Sequence, residues 1–259
     1  NTMGAMSVMG YEERKSAFRP LIPGTTFIEF NNLEDLEKIT TKTAAVILET
    51  IQGGAGFILP EKDYLVHVKR RCEEVGALLI LDEIQPGMGR TGKLFAFMDY
   101  GIVPDILVTG KGLGGGLPVG AFIASQQHMA KLKESPALGH ITTFGGNPVI
   151  AAACRATLST IIRGNLITKT LEKELLFRKY LVHPKIKEIR GMGLMLALLM
   201  ESPEVAQHLV KQALEKDVLL FFLLFEPKAV RISPPLTISE KQIKQGCGAM
   251  IEVLDNLNC

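Results

Sequence analysis

The sequence predicts an α/β protein with a largely parallel sheet, followed by a smaller α+β unit. Three observations carry this. Short apolar runs at residues 44–48, 77–81 and 105–109 alternate with helical patterns. Two of these runs deliver an ionisable residue, Asp82 and Lys111, just past their ends, as buried parallel strands do at one sheet edge. From Asn147 onward, strand-like and helical stretches continue around fewer apolar residues. The expected division is 1–160 for the large unit and 161–259 for the small one.

In chain order, residues 25–30 alternate like a strand, and Asn32 can cap a short helix over 33–39. Residues 44–48 suit a central parallel strand. Residues 61–75 place Leu65, Val68, Cys72 and Val75 at helical spacing, with Gly76 as the C-cap. The strand ending at Asp82 follows, then a glycine-rich turn, the strand of 105–109 and another at 119–125. A small-residue helix starts after Asn147 and leads to charged helical sequence at 171–179. The small unit continues with a strand-like run at 193–200, a helix at 203–216, apolar 218–225, the stretch Val230 to Leu236, and a final helix begun by Ser239.

Almost half of the 259 residues are apolar and the formal net charge is +2, a globular composition without the basic excess that nucleic acid or an anionic membrane demands. The longest apolar runs, 193–200 and 218–225, are too short to span a bilayer. Cys72, Cys154, Cys247 and Cys259 are far apart, and the five histidines are scattered. No zinc or other metal site and no disulfide framework is expected, and a cytoplasmic location is. The opening residues from Asn1 read like the interior of a longer protein.

Residues 87–92 match GxGxxG, but the turn is separated from its strand and opens no clear helix, so dinucleotide binding is not expected. Gly110-Lys111-Gly112 is not a P-loop either, since no Ser or Thr follows the lysine. An acid and a lysine at one sheet edge suit pyridoxal 5′-phosphate instead. The amine can bond to the cofactor's aldehyde, and the carboxylate can keep the pyridine nitrogen protonated. Gly110, Gly112 and Gly114 to Gly116 would let the backbone pass close to a planar ligand.

Five motifs in order along the chain are similar to those of class III pyridoxal-phosphate aminotransferases, above all the acetylornithine and ornithine enzymes. They are Leu81-Asp82-Glu83-Ile84-Gln85, Gly89-Arg90-Thr91-Gly92, the Lys111 segment, Thr143-Phe144-Gly145-Gly146-Asn147-Pro148, and Arg231 with Pro234-Pro235-Leu236. The resemblance implies a fold-type-I large domain, truncated at its N-terminus, with a C-terminal small domain. It implies that Lys111 is the covalent lysine and proton carrier, that Asp82 pairs with the pyridine nitrogen and that Gln85 lies beside the phenolic oxygen. Thr143 would reach the phosphate in a neighbouring subunit, which implies a homodimer with shared sites. Arg231 would bind a substrate carboxylate, with Glu49 also on the substrate side. Donor and acceptor would be an amino acid or ω-amine and a 2-oxo acid such as 2-oxoglutarate. An aminomutase or racemase of the same cofactor class, or a non-catalytic fragment, is the alternative.

Two positions depart from the family pattern. Gly54 stands where Glu-Pro-Ile-Gln-Gly-Glu has its second glutamate, and Pro86 where Thr is usual. The resemblance also implies a preceding N-terminal portion with a Ser-Gly-rich phosphate loop and a ring-stacking aromatic.

Overall fold

In the computed structural model, residues 2–61 and 63–257 are described, so Asn1 and Cys259 lie outside the described residues. Two short helices open the chain, α1 (Met3–Val8) and α2 (Glu12–Lys15). The first sheet contains β1 (Ala45–Glu49), β2 (Leu78–Asp82), β3 (Ile106–Gly110) and β4 (Gly120–Ala124), in that spatial order. β1, β2 and β3 run parallel, whereas β4 returns antiparallel. Between β1 and β2 the chain crosses through α3 (Tyr64–Val75).

α3 forms where the spacing placed it. Tyr64, Leu65, Val68 and Cys72 are its buried stripe, packed with Val46, Leu79 and Leu81 of the sheet. Burying each such aliphatic side chain contributes about 1.5–3 kcal/mol. Gly76 ends the helix at φ +78°, a left-handed conformation that glycine adopts without steric cost. Asp105 ties the crossover to the sheet, accepting from Lys69 Nζ at 3.0 Å and from Leu79 N at 2.8 Å.

After β4 come α4 (Gln126–Ala130), α5 (Pro148–Arg163) and α6 (Thr170–Tyr180). Asn147 caps α5, its Oδ1 accepting from Val149 N and Ile150 N, and Pro148 occupies the first helical turn, where its missing N–H costs nothing. Residue 160, the expected division, falls inside this helix. The second sheet is antiparallel, with spatial order β5 (Ile186–Met192), β6 (Met195–Met200), β8 (Ala229–Ile232), β7 (Phe221–Phe222). Helices α7 (Pro203–Leu214) and α8 (Glu240–Asp255) pack on it, the latter begun by a capping box between Ser239 and Gln242.

β6 is buried on both faces. Leu196, Leu198 and Met200 face the helices, and alternation turns Met195 and Ala197 toward Ile51, Phe57 and Ala96 of the first half. The Gly89–Gly92 turn completes the joint. Leu194 N donates to Arg90 O at 2.9 Å, Arg90 Nη1 donates to Leu194 O and Pro234 O, and Thr170 Oγ1 donates to Gly89 O at 3.2 Å.

Two sequence expectations are corrected. Residues 25–30 alternate but pair with no strand; Ile28 and Phe30 cover the α3 core, and Phe30 meets the Tyr64 ring edge-on at 5.2 Å. Residues 33–39 form only a 3₁₀ turn, Glu34–Lys38, although Asn32 Oδ1 does accept from Glu34 N. Of 218–225, only Phe221 and Phe222 are strand. β5 went unread because its polar outer positions, Lys187, Glu188 and Arg190, mask the pattern of an edge strand. Among the described residues, no helix is long and apolar enough to cross a membrane, and no cluster of His, Cys, Asp and Glu could hold a metal ion.

Candidate active site

Parallel register brings three ionisable residues to one edge. Glu49 is the last residue of β1 and pairs with Asp82, the last of β2; Asp82 in turn pairs with Val108 of β3, and Lys111 follows β3 directly. Glu49 Oε2 accepts from Gly53 N at 2.8 Å. Burial pushes the Glu49 carboxyl above its ordinary value; the Gly53 hydrogen bond pulls it down, Asp82 raises it and Lys111 lowers it. Asp82 Oδ1 accepts from Ile84 N at 2.8 Å. Burial raises this carboxyl too, against the opposing effects of Ile84 N and the Lys111 charge.

These shifts fix a pH dependence. A carboxyl whose pKa rises on folding contributes stability in full below its unfolded pKa, and that contribution is lost as pH climbs through the raised folded value. Thermal unfolding from about pH 4 to about pH 7 should therefore show the wild type losing stability relative to Asp82→Asn. A constant difference between the two proteins across that range would contradict the burial of Asp82.

Lys111 opens a 3₁₀ turn, Lys111–Gly114, and its side chain is exposed. Its backbone sits at φ +43°, unusual for a residue with a Cβ and costing on the order of 1 kcal/mol or more. Three of the neighbouring glycines, Gly110, Gly114 and Gly115, are also required by close packing. A Cβ on Gly110 would lie 2.9 Å from Val119 O, and one on Gly115 would strike Thr157 of α5. Gly115 and Gly116 also take positive φ.

Glu83, to which the sequence motifs assign no role, is the most enclosed carboxylate here. Fully buried, it accepts from Thr50 Oγ1 at 2.7 Å, Ala96 N at 2.9 Å and Phe97 N at 2.8 Å. Burial raises its pKa and these three donors oppose the rise. It fixes the loop after β2 beneath the site. Glu83→Ala should destabilise the chain by about 3 kcal/mol in chemical denaturation, because three buried donors lose their acceptor; Glu83→Gln should cost less. No strand-end periodicity could have singled it out, since its partners lie in two distant loops.

Gln85 packs its amide against Gly53, where a Cβ on residue 53 would collide with it and with Glu49 Oε2. Gln85 thus borders the same edge. Arg231 lies in β8, its guanidinium 5.1 Å from the Phe221 ring centroid. It is close enough to Arg90 to help lower that residue's pKa, although burial is the larger cause. Arg231 has no recorded contact with Lys111, Asp82 or Glu49 among the described residues. Thr143 sits in an exposed turn ahead of α5. The GxGxxG stretch opens no helix beyond the four-residue 3₁₀ turn Ala96–Asp99 and serves as the joint described above.

Comparison with known proteins gives one consistent answer. The family described as aminotransferase class-III matches residues 1–254. A putrescine aminotransferase of Pectobacterium atrosepticum is 40% identical over 271 residues, covering 99% of this chain and 58% of its own length. An ornithine aminotransferase of Toxoplasma gondii, with partial occupancy of PLP at its active site, superposes with a TM-score of 0.90 at 30% identity, over 97% of this chain and 60% of its own. An acetylornithine aminotransferase of Elizabethkingia anophelis gives a TM-score of 0.83 at 32% identity, over 91% of this chain and 61% of its own. The chain therefore spans about three fifths of these relatives.

Proposed function

Because the chain belongs to the class III aminotransferases, we propose that it moves an amino group from an amino acid or ω-amine to a 2-oxo acid such as 2-oxoglutarate, using pyridoxal 5′-phosphate. The observation that carries this reading is the shared edge where an exposed lysine and a half-buried carboxylate end neighbouring parallel strands. When bound, the cofactor supplies an aldehyde that bonds reversibly to amines and a ring that accepts electron density.

The residues suit that group. Asp82 Oδ2 has no hydrogen-bond partner among the described residues, and burial makes an unpaired charge there costly. A protonated ring nitrogen is the partner this oxygen lacks. Lys111 Nζ makes no hydrogen bond or ion pair among the described residues, which leaves it available for bonding.

Each residue then has a task. Lys111 would hold the cofactor through its aldehyde and would move the proton at the donor's α-carbon. Asp82 would keep the ring nitrogen protonated. Gln85 would lie beside the phenolic oxygen. Arg231 takes a carboxylate, since a guanidinium grips one through two parallel hydrogen bonds, and Glu49 lies on the substrate side. Thr143, exposed in one copy, serves the phosphate of a partner copy in a homodimer with shared sites. Residues 1–160 supply the cofactor groups and 161–259 supply Arg231. A cytoplasmic setting fits the widely spaced cysteines.

The test is to supply the chain with pyridoxal phosphate, 2-oxoglutarate and candidate donors. Glutamate formed in proportion to donor consumed supports transfer. Donor turnover without oxo-acid consumption points to an aminomutase or racemase, and no turnover to a non-catalytic fragment.

A further inference from the structure

We infer that Phe225 is a specificity-determining residue, and that the wall it builds with Tyr11 selects amino donors whose far end is uncharged and apolar, against diamines. The inference rests on the aminotransfer reading above.

The family pattern has a glutamate at position 54, and this chain has glycine. The structure supplies a steric reason. A Cβ on Gly54 would lie 2.8 and 2.9 Å from two Phe225 ring carbons, so a side chain at 54 would require that ring to move. Phe225 N also donates to Gly54 O at 2.9 Å, which fixes the segment before β8 against the loop after β1. Where a carboxylate would stand there is instead an aromatic face.

That face continues. The Phe225 ring packs against Tyr11 with centroids 4.6 Å apart. The Arg14 guanidinium lies over both rings, 5.9 Å from the Tyr11 centroid and 5.8 Å from that of Phe225, and its Nη2 donates to Leu224 O at 3.2 Å. The neighbouring acid, Glu226, turns Oε1 to Lys228 N, and its stem packs on Gly56.

The wall adjoins the candidate site. Gly53, one residue away, donates to Glu49 and packs against Gln85, and Glu49 feels the charges of Asp82 and Lys111. A donor whose amino group is at Lys111 therefore extends its far end toward residues 53–54. A second ammonium there meets ring faces already engaged by a cation and a like charge in Arg14, while the nearby Glu49 carboxyl is already engaged by Gly53 N and pushed by burial toward its neutral form. An alkyl or aryl tail gains ring contact and loses water.

The decisive comparison uses a length-matched pair, hexan-1-amine and hexane-1,6-diamine, with the full 259-residue chain supplied with pyridoxal phosphate. Wild type should favour the monoamine by about tenfold or more in kcat/KM, the scale of one discriminating apolar contact. Phe225→Ala should bring the ratio close to one. Phe225→Leu, which keeps bulk without the ring, serves if the alanine variant does not fold. Saturation-transfer NMR supplies a binding readout independent of turnover, and should show aromatic protons transferring to the monoamine's methyl in wild type only. Equal or better use of the diamine by wild type, or an unchanged ratio in both variants, would overturn the inference while leaving aminotransfer standing. If no amine or amino acid reacts, the aminotransfer reading falls and this inference falls with it.

Discussion

Lys111→Ala should fold normally and lose amino transfer by more than about 10³-fold, the upper range for removing a positioned acid–base group. The loss should be that large because one amine is asked to do two things, to hold the aldehyde and to carry the proton. Folding should survive because the side chain is exposed and makes no hydrogen bond or ion pair among the described residues. The left-handed backbone at φ +43° remains under alanine, so the variant inherits that strain without adding to it. Steady-state rates with matched circular dichroism spectra check the prediction. Transfer within tenfold of wild type would remove Lys111 from the mechanism.

Asp82→Asn should lower the rate by about 10²–10³-fold, the scale of a lost electrostatic partner in a water-poor site. Asparagine keeps an oxygen for Ile84 N, which Asp82 Oδ1 now accepts at 2.8 Å, so the turn after β2 should hold. It lacks the negative charge that would keep a ring nitrogen protonated. The rate loss should therefore come with an unchanged fold and, in apo protein, with the flatter stability–pH profile derived above. A rate loss matched by unfolding would assign Asp82 a structural role instead.

The first sheet was legible because its parallel strands are nearly uninterrupted apolar runs, and their polar ends then stand out. Asp82 and Lys111 could be placed on one edge for that reason, and register later added Glu49. The second sheet was harder to read. β5 is a half-polar edge strand, and β7 is two residues inside a longer apolar stretch whose remainder is loop. Residues 25–30 show the opposite failure, in which alternation reports a covered face and says nothing about a pairing partner. Long-range joints were invisible. The bonds from Arg90 to Leu194 and Pro234, the Glu83 acceptor set and the Phe225 ring over Gly54 all link segments that no local pattern connects. Gly54 could be seen as a departure from the family motif, but its cause lay in a residue far along the chain.

The proposed chemistry requires that Lys111 bond to pyridoxal phosphate. Incubating the chain with the cofactor, reducing with borohydride and mapping the modified peptide by mass spectrometry tests it directly. One stoichiometric pyridoxyl group is expected on Lys111, absent from Lys111→Ala. Labelling spread over other exposed lysines, or none at Lys111 under saturating cofactor, would contradict it.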